Sequence, residues 1–502
     1  MRQLIKSSKV SNDRKYKATK HSKYENLINH SVEKPQKLTK AQTFQKLTRT
    51  AMEGGASQGT KTRRRILLFP LPLQGHVTPM LNLANILHCK GFLITIIHTH
   101  YNSPNPTYFP HFNFHYLDDG LPKNSVLNSK DLTTILSVLN VNCIEPFQNC
   151  LSQILSTTDR NQEFVACLIS DPVWSFAGSI AQSFNLPRMS LRTGSMSSFL
   201  VYDSLPSLRQ KGYFPLQEAK LDERIPELPH LRVRDLPAEY QHDILGIMVK
   251  ETNNSDGLIC NTFEELEASS IARAHNTLPD NIFPIGPMHK YSQTTAASIW
   301  EQDQTSISWL NTQAPKTVLY VSFGSIAAIS KTEFLEMAWG LANSKQPFLW
   351  VVRPGLGQGL ELDELLPQGY LQMVGERGLI VKWAPQLEVL AHPAVGGFWT
   401  HCGWNSTVES ISEGVPMLCL PFFADQAINA RNVCDFWKIG LLLEKRTRED
   451  IQNAIAKLMV DKEGAEMRNR ITDLKEKAKV CLTIGGSSYE SMEQLTSYLS
   501  SL

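Results

Sequence analysis

The chain has no Cys-x-x-Cys pair, no Asp-x-Asp, no apolar run near membrane-span length and no Gly-x-Gly-x-x-Gly behind its first predicted strand. Each absence removes a class of function. Nine cysteines, odd in number and scattered, point to free thiols in a reducing compartment rather than a disulfide frame or a zinc site. Without about 20 consecutive apolar residues there is no candidate membrane span. The missing glycine fingerprint argues against a nicotinamide oxidoreductase, and the missing Asp-x-Asp fits chemistry that needs no metal. Strong net charge is lacking too, since the whole chain stands at +2.

That balance hides an asymmetry. Residues 1–51 hold 13 Lys/Arg against 3 Asp/Glu, so the remaining body stands at −8 and offers no basic surface for nucleic acid. The leader is polar, lacks apolar periodicity and has no hydrophobic segment behind its charges, so it reads as a disordered extension rather than a secretory signal.

 The expected setting is the cytoplasm and the expected state a monomer. A length of 502 residues is too great for one core, so two domains are expected. The boundaries read as 1–51 for the extension, 52–286 for a first domain, 287–312 for a linker, 313–484 for a second domain and 485–502 for a helix packing back on the first.

The body begins at Arg65. Ile66–Phe69 is a continuous apolar run, as a parallel strand buried on both faces requires. Thr78 and Pro79 then read as the cap and first residue of a helix, which leaves His76 in the turn at the carboxyl end of the strand. Open α/β sheets keep their site residues there. An imidazole in that turn is either a surface residue or a base acting on a hydroxyl. Further strands are predicted at Leu93–His98, Phe112–Tyr116, Phe164–Ser170, Arg188–Leu191 and Gly257–Cys260. Asp171-Pro172 reads as a helix cap, or as a carboxylate that meets His76 across neighbouring strand ends. Trp174, Met196 and Phe199 read either as pocket lining or as core. The stretch from Tyr202 to Gln241 shows no clear period and reads as loop.

Val318–Ser322 restarts the pattern, followed by a helix from Lys331 and strands at Phe348–Val352 and Gly378–Lys382. Gly355–Leu360 (GLGQGL) follows a proline and opens no helix, so it is a loop. Residues Trp383–Gln426 read WAPQLEVLAHPAVGGFWTHCGWNSTVESISEGVPMLCLPFFADQ. Strands at Gly396–Trp399 and Met417–Leu420 flank a helix from about Ser406 to Glu413. Ser406-Thr407-Val408-Glu409 fits a capping box, and the same helix start suits a diphosphate. Two runs of strand–helix alternation predict two doubly wound α/β domains.

This 44-residue box, together with FPLPLQGHVTPM (residues 69–80) and TVLYVSFGS (residues 317–325), resembles the plant family-1 UDP-sugar-dependent glycosyltransferases over about residues 62–502. The resemblance implies a GT-B fold, with the UDP-sugar on the second domain and a small-molecule acceptor on the first. It places Trp383 on uracil with Ala384 beside it, and Gln386 and Glu409 on the ribose. Ser325, His401, Asn405 and Ser406 fall on the diphosphate, and Trp404, Asp425, Gln426 and Thr193 on the sugar. His76 becomes the base and Asp171 its partner. Gln426 at the end of the box accompanies glucose in the family, so UDP-glucose is the expected co-substrate, with no further cofactor and no metal. The likeness is greatest to members acting on cytokinins, diterpene glycosides and benzoxazinoids, which leaves the acceptor open. A non-catalytic UDP-sugar or small-molecule binder on the same fold is the alternative.

Overall fold

The computed structural model describes residues 63–121, 132–158, 163–278, 281–291, 301–357 and 360–502. The basic extension and part of the expected linker lie outside these residues. Two parallel sheets organise the chain. The first contains β1 (Arg63–Phe69), β2 (Leu93–Thr99), β3 (Asn113–Leu117), β4 (Glu163–Ser170) and β5 (Arg188–Arg192). A short antiparallel hairpin of β6 (Arg224–Ile225) and β7 (Leu228–Arg232) interrupts it before β8 (Gly257–Cys260) and β9 (Ile282–Pro284). The strand order is β3-β2-β1-β4-β5-β8-β9.

The second sheet contains β10 (Val318–Ser322), β11 (Phe348–Val351), β12 (Gly378–Val381), β13 (Val395–Thr400), β14 (Met417–Cys419) and β15 (Gly440–Leu442). Its order, β12-β11-β10-β13-β14-β15, reverses direction beside its first strand as the first sheet's does. Such reversals open a crevice at the carboxyl ends of the strands. This is the GT-B arrangement of two Rossmann-like domains.

Burial explains the strands. Ile66, Leu67, Leu68 and Phe69 are each fully buried, two facing helices on one side of the sheet and two on the other. Phe69 stacks between Phe147 and Trp174 at 4.5 Å from each. Trp174, Met196 and Phe199 are wholly buried, so all three are core. The helix Ser487–Ser501 returns to the first domain, where Met492, Leu495 and Leu499 join the core beside β4 and β9.

Four local expectations are corrected. The first long helix spans Gln74–Cys89, so His76 sits in its first turn and Pro79 inside it. Asp171 caps no helix, since the next begins at Ala177; its Oδ1 accepts from the Val173 backbone N–H at 3.0 Å in a tight turn. The helix in the signature box starts at Trp404 with no side-chain cap, two residues ahead of Ser406, and the capping box does not form. Within Tyr202–Gln241, the helix Met196–Gln210 carries on to Gln210 and the β6–β7 hairpin follows.

Candidate active site

Every residue assigned to the site from sequence lines one continuous cavity of about 340 Å³ between the two domains. The first domain supplies His76, Asp171 and Thr193 from the carboxyl ends of β1, β4 and β5. His76 Nδ1 lies 2.5 Å from Asp171 Oδ2 and 3.2 Å from Thr193 Oγ1. Asp171 is buried, and its backbone N–H donates to the Phe69 carbonyl at 3.0 Å, which ties the carboxylate to the end of β1. Burial pulls the His76 pKa down, but the charge of Asp171 and its hydrogen bond outweigh that pull and hold it above 6.5. With Nδ1 engaged, Nε2 is the nitrogen left to take a proton from a ligand.

Pro79 has a consequence here. In a continuous helix its N–H would bond to the carbonyl of Gly75, and proline has none. That freed carbonyl accepts from Asn405 Nδ2 of the second domain at 2.7 Å. Asn405 Oδ1 also takes a long contact from Asn261 Nδ2 at 3.3 Å. The Trp404 indole donates to the Asn261 carbonyl at 2.8 Å. The indole N–H is therefore committed to protein, and only the backbone N–H of Trp404, in the first helical turn, is left for a ligand.

The second domain builds the other wall. Gln386 bridges three residues: Nε2 donates to Ser406 Oγ at 2.9 Å and to Glu409 Oε2 at 2.7 Å, while Oε1 accepts from Tyr320 at 3.2 Å. Burial raises the Glu409 carboxyl to about 7, although the Gln386 bond and the charge of Lys290 favour its ionised form. Ala384 is buried beside Trp383. Ser325 follows Gly324, whose φ is +69° and whose added Cβ would lie 2.7 Å from His401 Nε2. Only glycine lets the loop pass that close to the imidazole. Burial lowers His401 to about 4, so near neutral pH it is an uncharged ring with one N–H to offer. Asp425 Oδ2 accepts from Asn429 Nδ2 at 2.9 Å. Gln426 Oε1 accepts from the Phe422 and Phe423 backbone at 2.8 and 3.2 Å, leaving its Nε2 as donor.

Sequence reasoning missed Arg192, Tyr202, Gln241 and Met248, which line the same cavity. A second arginine closing a buried strand, RMSLR, one residue ahead of Thr193 was the signal for Arg192. The others lie in the region read as loop, or in the helix His242–Asn253 that follows it.

A sequence model of the family described as UDP-glucoronosyl and UDP-glucosyl transferase matches residues 108–476. The chain belongs to this family. The transferase is 47% identical over 447 residues to UDP-glycosyltransferase 76B1 of Arabidopsis thaliana, covering 88% of its own length and 98% of that relative. It is 44% identical over 463 residues to UDP-glycosyltransferase 76G1 of Stevia rebaudiana, covering 90% and 100%. Among solved structures, a UDP-glucose: anthocyanidin 3-O-glucosyltransferase in complex with UDP matches with a TM-score of 0.75 at 25% identity, over 88% of the transferase and 100% of that chain. Os79 from O. sativa in complex with UDP matches at 0.73, with 25% identity over 86% and 100%. Among the described residues, no helix of the transferase is long and apolar enough to cross a membrane.

Proposed function

We propose that this glycosyltransferase moves glucose from UDP-glucose to a hydroxyl, or carboxyl, of a small lipophilic metabolite with inversion at the anomeric carbon. The observation that carries the proposal is the 2.5 Å contact between His76 and Asp171, set in the same cavity as the Gln386–Ser406–Glu409 cluster. A protein that only bound UDP-sugars would have no use for a carboxylate-held imidazole.

In this scheme the acceptor O–H gives its proton to His76 Nε2 as its oxygen bonds to the anomeric carbon. The bond from that carbon to the diphosphate oxygen breaks, and UDP leaves with the electron pair. Asp171 stabilises the imidazolium. The growing charge on UDP meets the N–H groups that open the Trp404–Glu413 helix, with Ser325 and neutral His401 as further donors. Glu409 accepts from the ribose hydroxyls, and Asp425 and Gln426 hold the sugar. The choice of glucose rests on the family likeness at Gln426. A cytoplasmic monomer that needs no metal is part of the same reading.

Incubation with UDP-glucose and a mixed panel of phenols, acids and alcohols tests the scheme. Release of UDP should accompany a product with the large anomeric proton coupling of a β-glucoside. An α-linked product, or no transfer to any acceptor, would sink it.

The Glu409 carboxyl gives a separate expectation. Ribose hydroxyls donate to an ionised carboxylate, so ligand binding favours the form present above about 7. UDP-glucose affinity, read by calorimetry, should therefore fall as pH drops from 8 to 6. The diester diphosphate of UDP-glucose carries no group titrating there. Glu409→Gln should bind more weakly but flatten that slope; an unchanged slope in the variant would assign the pH dependence elsewhere.

A further inference from the structure

Arg192 ends β5, one residue before Thr193, and its side chain is buried at the wall of the cavity. Its Nε donates to the Ser195 carbonyl at 3.0 Å and its Nη2 to Ser198 Oγ at 2.7 Å. Nη1 reaches only the Met248 sulfur, at 3.6 Å, which is a weak acceptor. The guanidinium lies 5.2 Å from the Phe199 ring centre and 5.6 Å from that of Tyr202. Among the described residues, no carboxylate comes within ion-pair distance of it.

The chain supplies counter-ions to its other buried arginines. Arg188 on the same strand pairs with Glu251 at 3.4 Å, and Arg431 pairs with Asp235 at 2.8 Å. Asp425 stands across Gly194, whose added Cβ would sit 3.3 Å from Arg192 Nη2 and 3.2 Å from Asp425 Oδ2. That carboxylate is already bonded to Asn429. Asp425 and Glu267 act on it only as more distant charges, and a buried cation whose direct partners are all neutral is costly unless a ligand completes its shell. Arg192 is also the only Lys or Arg among the described residues that line the cavity.

We propose that Arg192 binds a carboxylate carried by the acceptor, so that hydroxycarboxylic acids are the preferred acceptor class of this site. The proposal rests on the transferase reading above. The surrounding wall of Leu136, Val173, Ile244, Leu245 and Met248 takes the apolar body of such a molecule. The open Nη1 edge, now on a sulfur, takes the carboxylate. A phosphate dianion fits less well, because Asp171 and Asp425 share the cavity and oppose a second negative charge.

Matched acceptor pairs test the idea: mandelate, 3-hydroxybenzoate and 4-hydroxybenzoate, each against its methyl ester, with UDP-glucose as donor. In the native enzyme the acids should be preferred, and the preference should appear in KM. In Arg192→Met the acid-to-ester ratio of kcat/KM should fall by about 10²-fold. Arg192→Lys should retain part of it. UDP-induced thermal stabilisation checks that each variant is folded; if Arg192→Met does not fold, the native preference across the panel decides. Esters used as well as acids by the native enzyme would overturn the assignment of Arg192 alone, as would an equal loss for both in the variant. Failure of every acceptor, acidic or neutral, would instead overturn the transferase reading on which it rests.

Discussion

His76→Ala is expected to lower kcat by about 10²–10⁴-fold, the usual contribution of a positioned general base. UDP binding should change little, because the Gln386–Ser406–Glu409 cluster that would hold UDP lies on the other domain and touches His76 nowhere. The split between the two measurements is what carries the weight. Steady-state kinetics with saturating UDP-glucose gives the first, and calorimetry with UDP gives the second. Retention of most of the turnover would remove His76 from the mechanism. Loss of turnover and UDP binding together would mean that the substitution had disturbed the first turn of the Gln74–Cys89 helix, and with it the Gly75–Asn405 contact between domains.

Asp171→Asn should cost a comparable factor, and it should also move the pH profile. Burial alone pulls His76 down; the charge of Asp171 and the 2.5 Å bond reverse that pull. As a base His76 works only when neutral, so native kcat/KM should fall as pH drops through a value above 6.5. Without the carboxylate's charge the pull of burial prevails, and the acid limb should shift to lower pH at a lower plateau. An acid limb that stays in place would mean that some other group sets it. The sign for stability is opposite. The protonated His76–Asp171 pair stabilises the fold fully below the unfolded value of 6.5, and that contribution is lost as pH rises through the raised folded value.

The parallel strands were legible almost to the residue. Val318–Ser322 and Gly257–Cys260 match, and most others differ by one or two positions, because a strand buried on both faces must be a continuous apolar run. The helix starts were less legible. Thr78-Pro79 imitates a helix start, yet the chain already turns at Leu73, and the bond that proline forfeits is replaced from the other domain. Ser406 and Glu409 have capping-box spacing, but both side chains are occupied by Gln386. Local rules cannot see a partner 20 residues away. β9 and β15, at three residues each, are too short for any period to show. The assigned site residues were legible as a set through the box and the strand ends. Arg192 was not, because its meaning lies in the counter-ion it lacks, which only three-dimensional neighbours reveal.

The return of the last helix has one more consequence. The polypeptide leaves the first domain after β9 and comes back between Cys481 and Ser487, and the two crossings meet at one carbonyl. Gly286 O accepts from Ser488 Oγ at 2.5 Å and from Cys481 Sγ at 3.8 Å. Elsewhere the halves are joined by side chains: Asn405 to Gly75, Ser195 to Asn429 at 2.9 Å, Asn432 to Ser197 at 2.7 Å and the buried Arg431–Asp235 pair, with Phe263 and Leu266 of the first domain set in the second domain's core. The covalent seam is thus a single spot, and since no strand pairing among the described residues joins the two sheets, the width of the mouth that admits nucleotide and acceptor is set by side chains packed across it.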